Sequence, residues 1–177
     1  DTWIIATGSF TVGGDGQMVL NAHPSNYNTG AIGWYAGPEV ITNGASHTIR
    51  GAGRIAPTIV NEGTILADQN GRSLYLTNNT KTNNNVIRAL NGGNLEVMSS
   101  VTQGASGRLV ADDGARVNLY DMTLTAGRVQ AFNGGLAQAL GNATLVNVAV
   151  EGPMTQAPGH TLYTAGTLSI ADTLTMN

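Results

Sequence analysis

Apolar and polar residues alternate along this chain in short bursts, each closed by a glycine or an asparagine. In the stretch Gly63-Thr-Ile-Leu-Ala67-Asp-Gln-Asn-Gly71-Arg-Ser-Leu74-Tyr-Leu76, two four-residue bursts flank a glycine-bearing turn. The same order returns at residues 85–97, at 107–119 and at 127–139. Alternation with period two is that of a strand with one face inward and one outward. Ala67, Ala89, Ala111 and Ala131 hold equivalent places, 22, 22 and 20 residues apart. A fixed period near 20 residues, built from short strands, predicts a solenoid. Weaker copies at 147–150 and 166–170 put Val150 and Ile170 at the alanine place. Residues 8–12 and 47–51 supply its first half. No stretch sustains the 3.6-residue period of a helix.

The alternation also assigns faces. Ile49, Ile65, Ile87, Leu109, Val129, Val148 and Leu168 form an inward column that is aliphatic throughout. Beside it runs a mixed outward column of Arg50, Leu66, Arg88, Val110, Gln130, Ala149 and Ser169. The prediction is one all-β domain over residues 1–177, with about eight rungs of roughly 20 residues stacked about 4.8 Å apart. Residues 21–38 break the period with Pro24, Pro38, Tyr27, Trp34 and Tyr35, and read as an enlarged rung bearing a loop, since proline cannot donate to an interior ladder. Residues 78–85 and 151–160 read as polar corner loops. Asn43, Asn61, Asn91, Asn133 and Asn142 suit left-handed corners and side-chain ladders.

Composition narrows the function classes. Only 11% of residues are charged, against about 25% in an ordinary globular domain. The net charge of −3 gives no basic footprint for nucleic acid. With no cysteine there is neither a disulfide framework nor a thiolate metal site. No apolar run approaches the roughly 18 residues of a membrane-spanning helix. The chain opens on Asp1 rather than Met, as expected of a processed or excised segment, and export is the expected fate.

The run from Thr42 to Ile55 (TNGASHTIRGAGRI), followed by Ile59 to Asp68 (IVNEGTILAD), resembles the repeats of long bacterial secreted proteins. These are similar to autotransporter passengers and filamentous-haemagglutinin-type adhesins. The resemblance spans residues 40–177. It implies a right-handed parallel β-helix, export, and an extracellular or cell-surface role.

Candidate chemistry is sparse. The acids are scattered, and the one adjacent pair, Asp112-Asp113, precedes Gly114 and reads as a turn cap rather than as two facing carboxylates. Residues 13–16 (GGDG) begin like a calcium-binding nonapeptide, but Met18 stands where an aspartate is needed, which leaves a tight turn. His23, His47 and His160 share no spacing and read as surface residues. No catalytic residue, metal ligand or cofactor is assigned. Arg108 and Arg128 fall in one outward column, with Arg88 beside it. They read as solvated cations paired with Asp112, Asp113 or Glu96, or as a shallow site for an acidic glycan. Tyr27, Trp34 and Tyr35 read as packing residues or a partner contact, with stacking on a sugar ring as the alternative.

The threonine column an ice-binding solenoid needs, through Thr48, Thr64 and Thr167, is interrupted by Val86, Arg108, Arg128 and Asn147. The expected function is a secreted or surface-borne structural solenoid that is not an enzyme. It would be adhesin-like or a filament subunit, joined end to end with other copies or continuing a longer solenoid, with surface glycans as further partners. The alternative is a glycan-binding or polysaccharide-degrading β-helix.

Overall fold

The computed structural model describes residues 2–33 and 37–177; Trp34 and Tyr35 lie outside the described residues. The chain winds into stacked coils of about 21 residues, about 7 turns, almost entirely of parallel strands, and is a β-solenoid. Three consecutive coils show the plan. Their strands are Lys81–Asn83, Val86–Ala89 and Asn94–Val97, then Val101–Gln103, Arg108–Ala111 and Arg116–Leu119, then Thr123–Thr125, Arg128–Ala131 and Leu136–Ala139. Each strand pairs in parallel with its counterpart one coil on, which gives three stacks around one interior.

The expected inward column exists. Ile49, Ile65, Ile87, Leu109 and Val129 are in register and buried, and Ala67, Ala89, Ala111 and Ala131 form a second in-register column. On the next stack Leu74, Leu95, Val117, Ala137 and Met154 do the same. Small alanines beside branched residues let coils of unequal contour share one dry interior at crystal-like density.

The column departs from expectation after Val129. Val129 pairs with Val150, not Val148; Val148 pairs with Leu168, which is only partly covered. The cause lies in the strand Ala143–Glu151, which serves two stacks and takes its corner at Asn147, in the left-handed region at φ 55°, where the register shifts. The slip is two residues, so each side chain keeps its face. Val110 also differs. It faces outward as expected, opposite Arg88 and Gln130, yet is buried beneath its neighbours' long side chains.

Two expected corner loops contain strands. Residues 81–83 pair on both sides, and Lys81 takes an inward place opposite Ile59 and Val101. Met154–Gln156 continues the second stack, with Met154 fully buried.

Polar residues also line the interior. Asn43 donates to Asn61 (2.7 Å), Asn61 to Asn83 (2.9 Å) and Asn83 to Gln103 (3.2 Å), each from its side-chain amide to the next amide oxygen. The same amides also reach the carbonyls of Thr64, Val86, Arg108 and Arg128. A ladder with every member satisfied avoids the penalty of burying amides dry. His47, expected at the surface, is buried at its end, with Nδ1 2.7 Å from Asn43 Oδ1. Gly63 is required here, because a Cβ would stand 2.3 Å from the carbonyl oxygens of Gly44 and His47.

The opposite corner uses left-handed pairs. Asn91-Gly92, Asp113-Gly114 and Asn133-Gly134 all have positive φ in three successive coils, so the Asp112-Asp113 pair does sit in a turn. Gly14, at φ +87°, makes the tight turn expected of residues 13–16. Asn43, Asn61 and Asn142 do not adopt the left-handed conformation; Asn142 instead accepts the Thr161 N–H at 2.8 Å.

Candidate functional site

Three places on the rod concentrate exposed chemistry. The first holds the outward arginines. Arg108 and Arg128 are direct parallel neighbours, and Arg88 lies in the adjacent column. Arg88 pairs with Asp112, and Arg128 lies 3.5 Å from Glu151. Among the described residues Arg108 donates to the Ser106 carbonyl, at 3.3 Å, so the register brings two like charges together with a carboxylate beside Arg128 alone. Arg88 and Arg108 edge a groove of about 300 Å³ floored by Leu66, Val86 and Val110 and closed by the exposed Phe132.

Asp112 is fully engaged. Burial alone would raise its pKa, but hydrogen bonds from Asn133 and Arg88, the Arg88 charge and the Asp113 backbone N–H hold it below the ordinary carboxylate value. Glu96 is likewise occupied. It accepts from Ser73 and Asn118 at 3.0 Å each and from Tyr120. Burial, then the Glu96 charge and hydrogen bond, push the Tyr120 hydroxyl up to about 12. Both carboxylates are held by neighbouring protein donors. Among the described residues no group of three or more His, Asp or Glu side chains could hold a metal ion.

The second place is a cavity of about 300 Å³ between the excursion at residues 22–29 and the outward face of the strand Ser73–Leu76. His23, Ser25, Tyr27, Arg72, Ser73 and Tyr75 line it. Tyr27 lies over Tyr75 with ring centroids 4.3 Å apart and planes tilted by 34°, a contact that both packs the loop and presents an aromatic surface. The excursion carries its own hydrogen bonds. Asn26 N–H donates to the His23 carbonyl (2.9 Å), Thr29 N–H to the Asn26 carbonyl (3.1 Å) and Asn28 N–H to Asn26 Oδ1 (3.0 Å). Tyr27 was recognisable in the sequence as an aromatic in a broken rung. Arg72 and Tyr75 were not, because they reach the excursion only through the coil stacking, and His23 read as a surface residue.

The third place is the pair of end coils. Among the described residues, Leu162–Ile170 and Leu174–Met176 pair on one side only at one end, and Thr2–Ile4, Phe10–Val12 and Gln17–Asn21 do so at the other. Ile5, Val19, Tyr163, Ile170 and Met176 are exposed there, and Leu162, Leu168 and Leu174 are half-covered.

One buried site was hidden from sequence reading. The Lys81 ammonium reaches the carbonyls of Ala56 (3.3 Å), Pro57 (3.0 Å), Thr77 (2.8 Å) and Asn79. Burial pulls its pKa down to about 7. Surrounded by main-chain carbonyls, it staples consecutive corners.

No protein-family model, curated protein or solved structure matches this chain.

Proposed function

We propose that this β-solenoid is a structural, adhesin-like subunit of an extracellular or cell-surface assembly, and that its terminal coils dock end to end on other copies. The supporting observation is the chemistry of the end coils. Each presents a row of strand edges paired on one side only, over apolar side chains that a further coil would bury. Such an edge templates pairing with another chain. A solenoid end is normally covered by a polar capping unit or by a further coil, and Ile170 and Met176 at one end and Ile4, in the column of Ile32 and Ile55, at the other are inward side chains that such a coil would bury. The two ends differ, so docking is head to tail and extends into a fibre wherever the rotation does not close a ring. Asp112 and Glu96 have their oxygens committed to neighbouring side chains, which favours a role without catalysis.

Light scattering over a dilution series tests the proposal. The expected result is a mass that climbs above 18.2 kDa with concentration and stays at the single-chain value in an Ile170→Asp, Met176→Asp double variant. A constant 18.2 kDa for the unaltered chain at every concentration would overturn it.

A further inference from the structure

We infer that the cavity under the 22–29 excursion binds an acidic sugar, with the ring against Tyr27 and its carboxylate on Arg72. The anionic half of the ligand follows from the state of Arg72. Its Nη1 is committed to two side-chain amides, Asn21 Oδ1 at 3.0 Å and Gln69 Oε1, which fix the plane of the guanidinium. Among the described residues the Nε–Nη2 edge has no protein partner, and that edge presents two parallel N–H groups to a carboxylate. Among the described residues no acidic side chain lines the cavity. Glu96, one coil on, has its oxygens turned to Ser73, Asn118 and Tyr120.

The sugar half follows from the rest of the lining. Tyr27 is half-exposed and backed by Tyr75, which makes an aromatic platform that does not have to be assembled on binding. His23 accepts the Ser25 N–H on Nδ1 at 3.2 Å, so in the neutral ring the proton sits on Nε2, as a donor for a hydroxyl. Ser25 adds a hydroxyl, and Ser73, whose proton goes to Glu96, adds an acceptor oxygen. Polar groups that both donate and accept, around one aromatic face, match a pyranose better than an apolar ligand. The volume, about 300 Å³, stands at the lower edge of the roughly 300–1,000 Å³ of small-ligand sites, which suits a short sugar segment. Because the excursion is closed by its own hydrogen bonds, little ordering is needed on binding.

The site does not depend on end-to-end assembly, so it is tested on dilute single chains. Trigalacturonate and a neutral galactose trisaccharide are titrated calorimetrically into the full chain at low and at high salt. The expected result is binding of the acidic trisaccharide at least tenfold tighter than the neutral one, weakened by salt. Arg72→Gln and Tyr27→Ala should each reduce it tenfold or more, while Arg108→Gln, in the other groove, leaves it unchanged. Tyr27→Ala removes a ring of the excursion outside the coil interior and keeps the test valid should Arg72→Gln disturb the fold. No heat from either sugar, equal affinity for both, or loss on Arg108→Gln with Tyr27→Ala silent would each overturn the assignment.

Discussion

Ile65 and Ile170 occupy the same inward column, five coils apart by register, yet the first is 0% exposed and the second 43%. The residue type, the strand conformation and the face are the same. What differs is whether a coil lies on both sides. In a solenoid each coil buries its apolar face largely on its neighbours, so the middle of the rod is a finished core and each end is half of one. A side chain as large as isoleucine gains roughly 1.5–3 kcal/mol on full burial, and the end coils leave part of that gain unrealised at several positions.

The contrast is broken most severely from the middle. Leu109→Asp places a carboxylate between Ile87 and Val129, where no partner is available. A loss of about 4 kcal/mol or more is expected, enough to abolish cooperative folding in a marginal domain. Val110→Asp, one residue on, faces outward beside Arg88 but starts from a covered position. It should lose about 1–2 kcal/mol, since the new carboxylate can turn toward the guanidinium. Denaturant midpoints of the two variants give the ordering, and equal losses would mean that burial, not facing, controls this coil.

Lys81→Met sharpens the comparison, because it replaces the buried cation of an inward column that otherwise runs through Ile41, Ile59, Val101, Leu124 and Leu145. The four carbonyls would lose their donor, and a loss of about 2–4 kcal/mol is expected in urea titrations. The pH dependence carries its own sign. The folded-state pKa is about 7, below the ordinary lysine value of 10.5. Between those values the unfolded chain binds the extra proton. Stability should therefore rise with pH across that window and, coming back down, decline until about pH 7. Lys81→Met should flatten that slope. A slope of the opposite sign would mean that the four carbonyls hold the ammonium more strongly than burial opposes it.

How much of this was legible in the sequence follows from the same physics. The columns through Ile65 and Ala67 were readable because period-two alternation and a near-constant repeat each carry one bit of geometry per residue. The Lys81–Asn83 strand was not, since Thr-Lys-Thr-Asn has no apolar residue to mark its inner face. Its burial depends on backbone carbonyls and on an amide ladder that runs between coils. The register slip at Val148 was hidden because a shift of two residues preserves the alternation that would have betrayed it. The arginine neighbours Arg108 and Arg128 were found from the repeat alone, whereas the Tyr27 cavity was found only in part. Arg72 reaches Asn21 across a sequence separation of 51 residues, and nothing local announces that contact.

Amide hydrogen exchange, followed by position and by protein concentration, bears most directly on the difference between finished middle and unfinished ends. In dilute solution the amides of Val86–Ala89 and Arg108–Ala111 should be strongly protected, and the outward-directed amides of Leu162–Ile170 and Leu174–Met176 should exchange fast. At high concentration the terminal amides should slow toward the values of the middle coils as another copy covers them. Terminal amides that exchange equally fast at every concentration would contradict end-to-end docking, and terminal amides already as protected as the middle in dilute solution would contradict the open ends themselves.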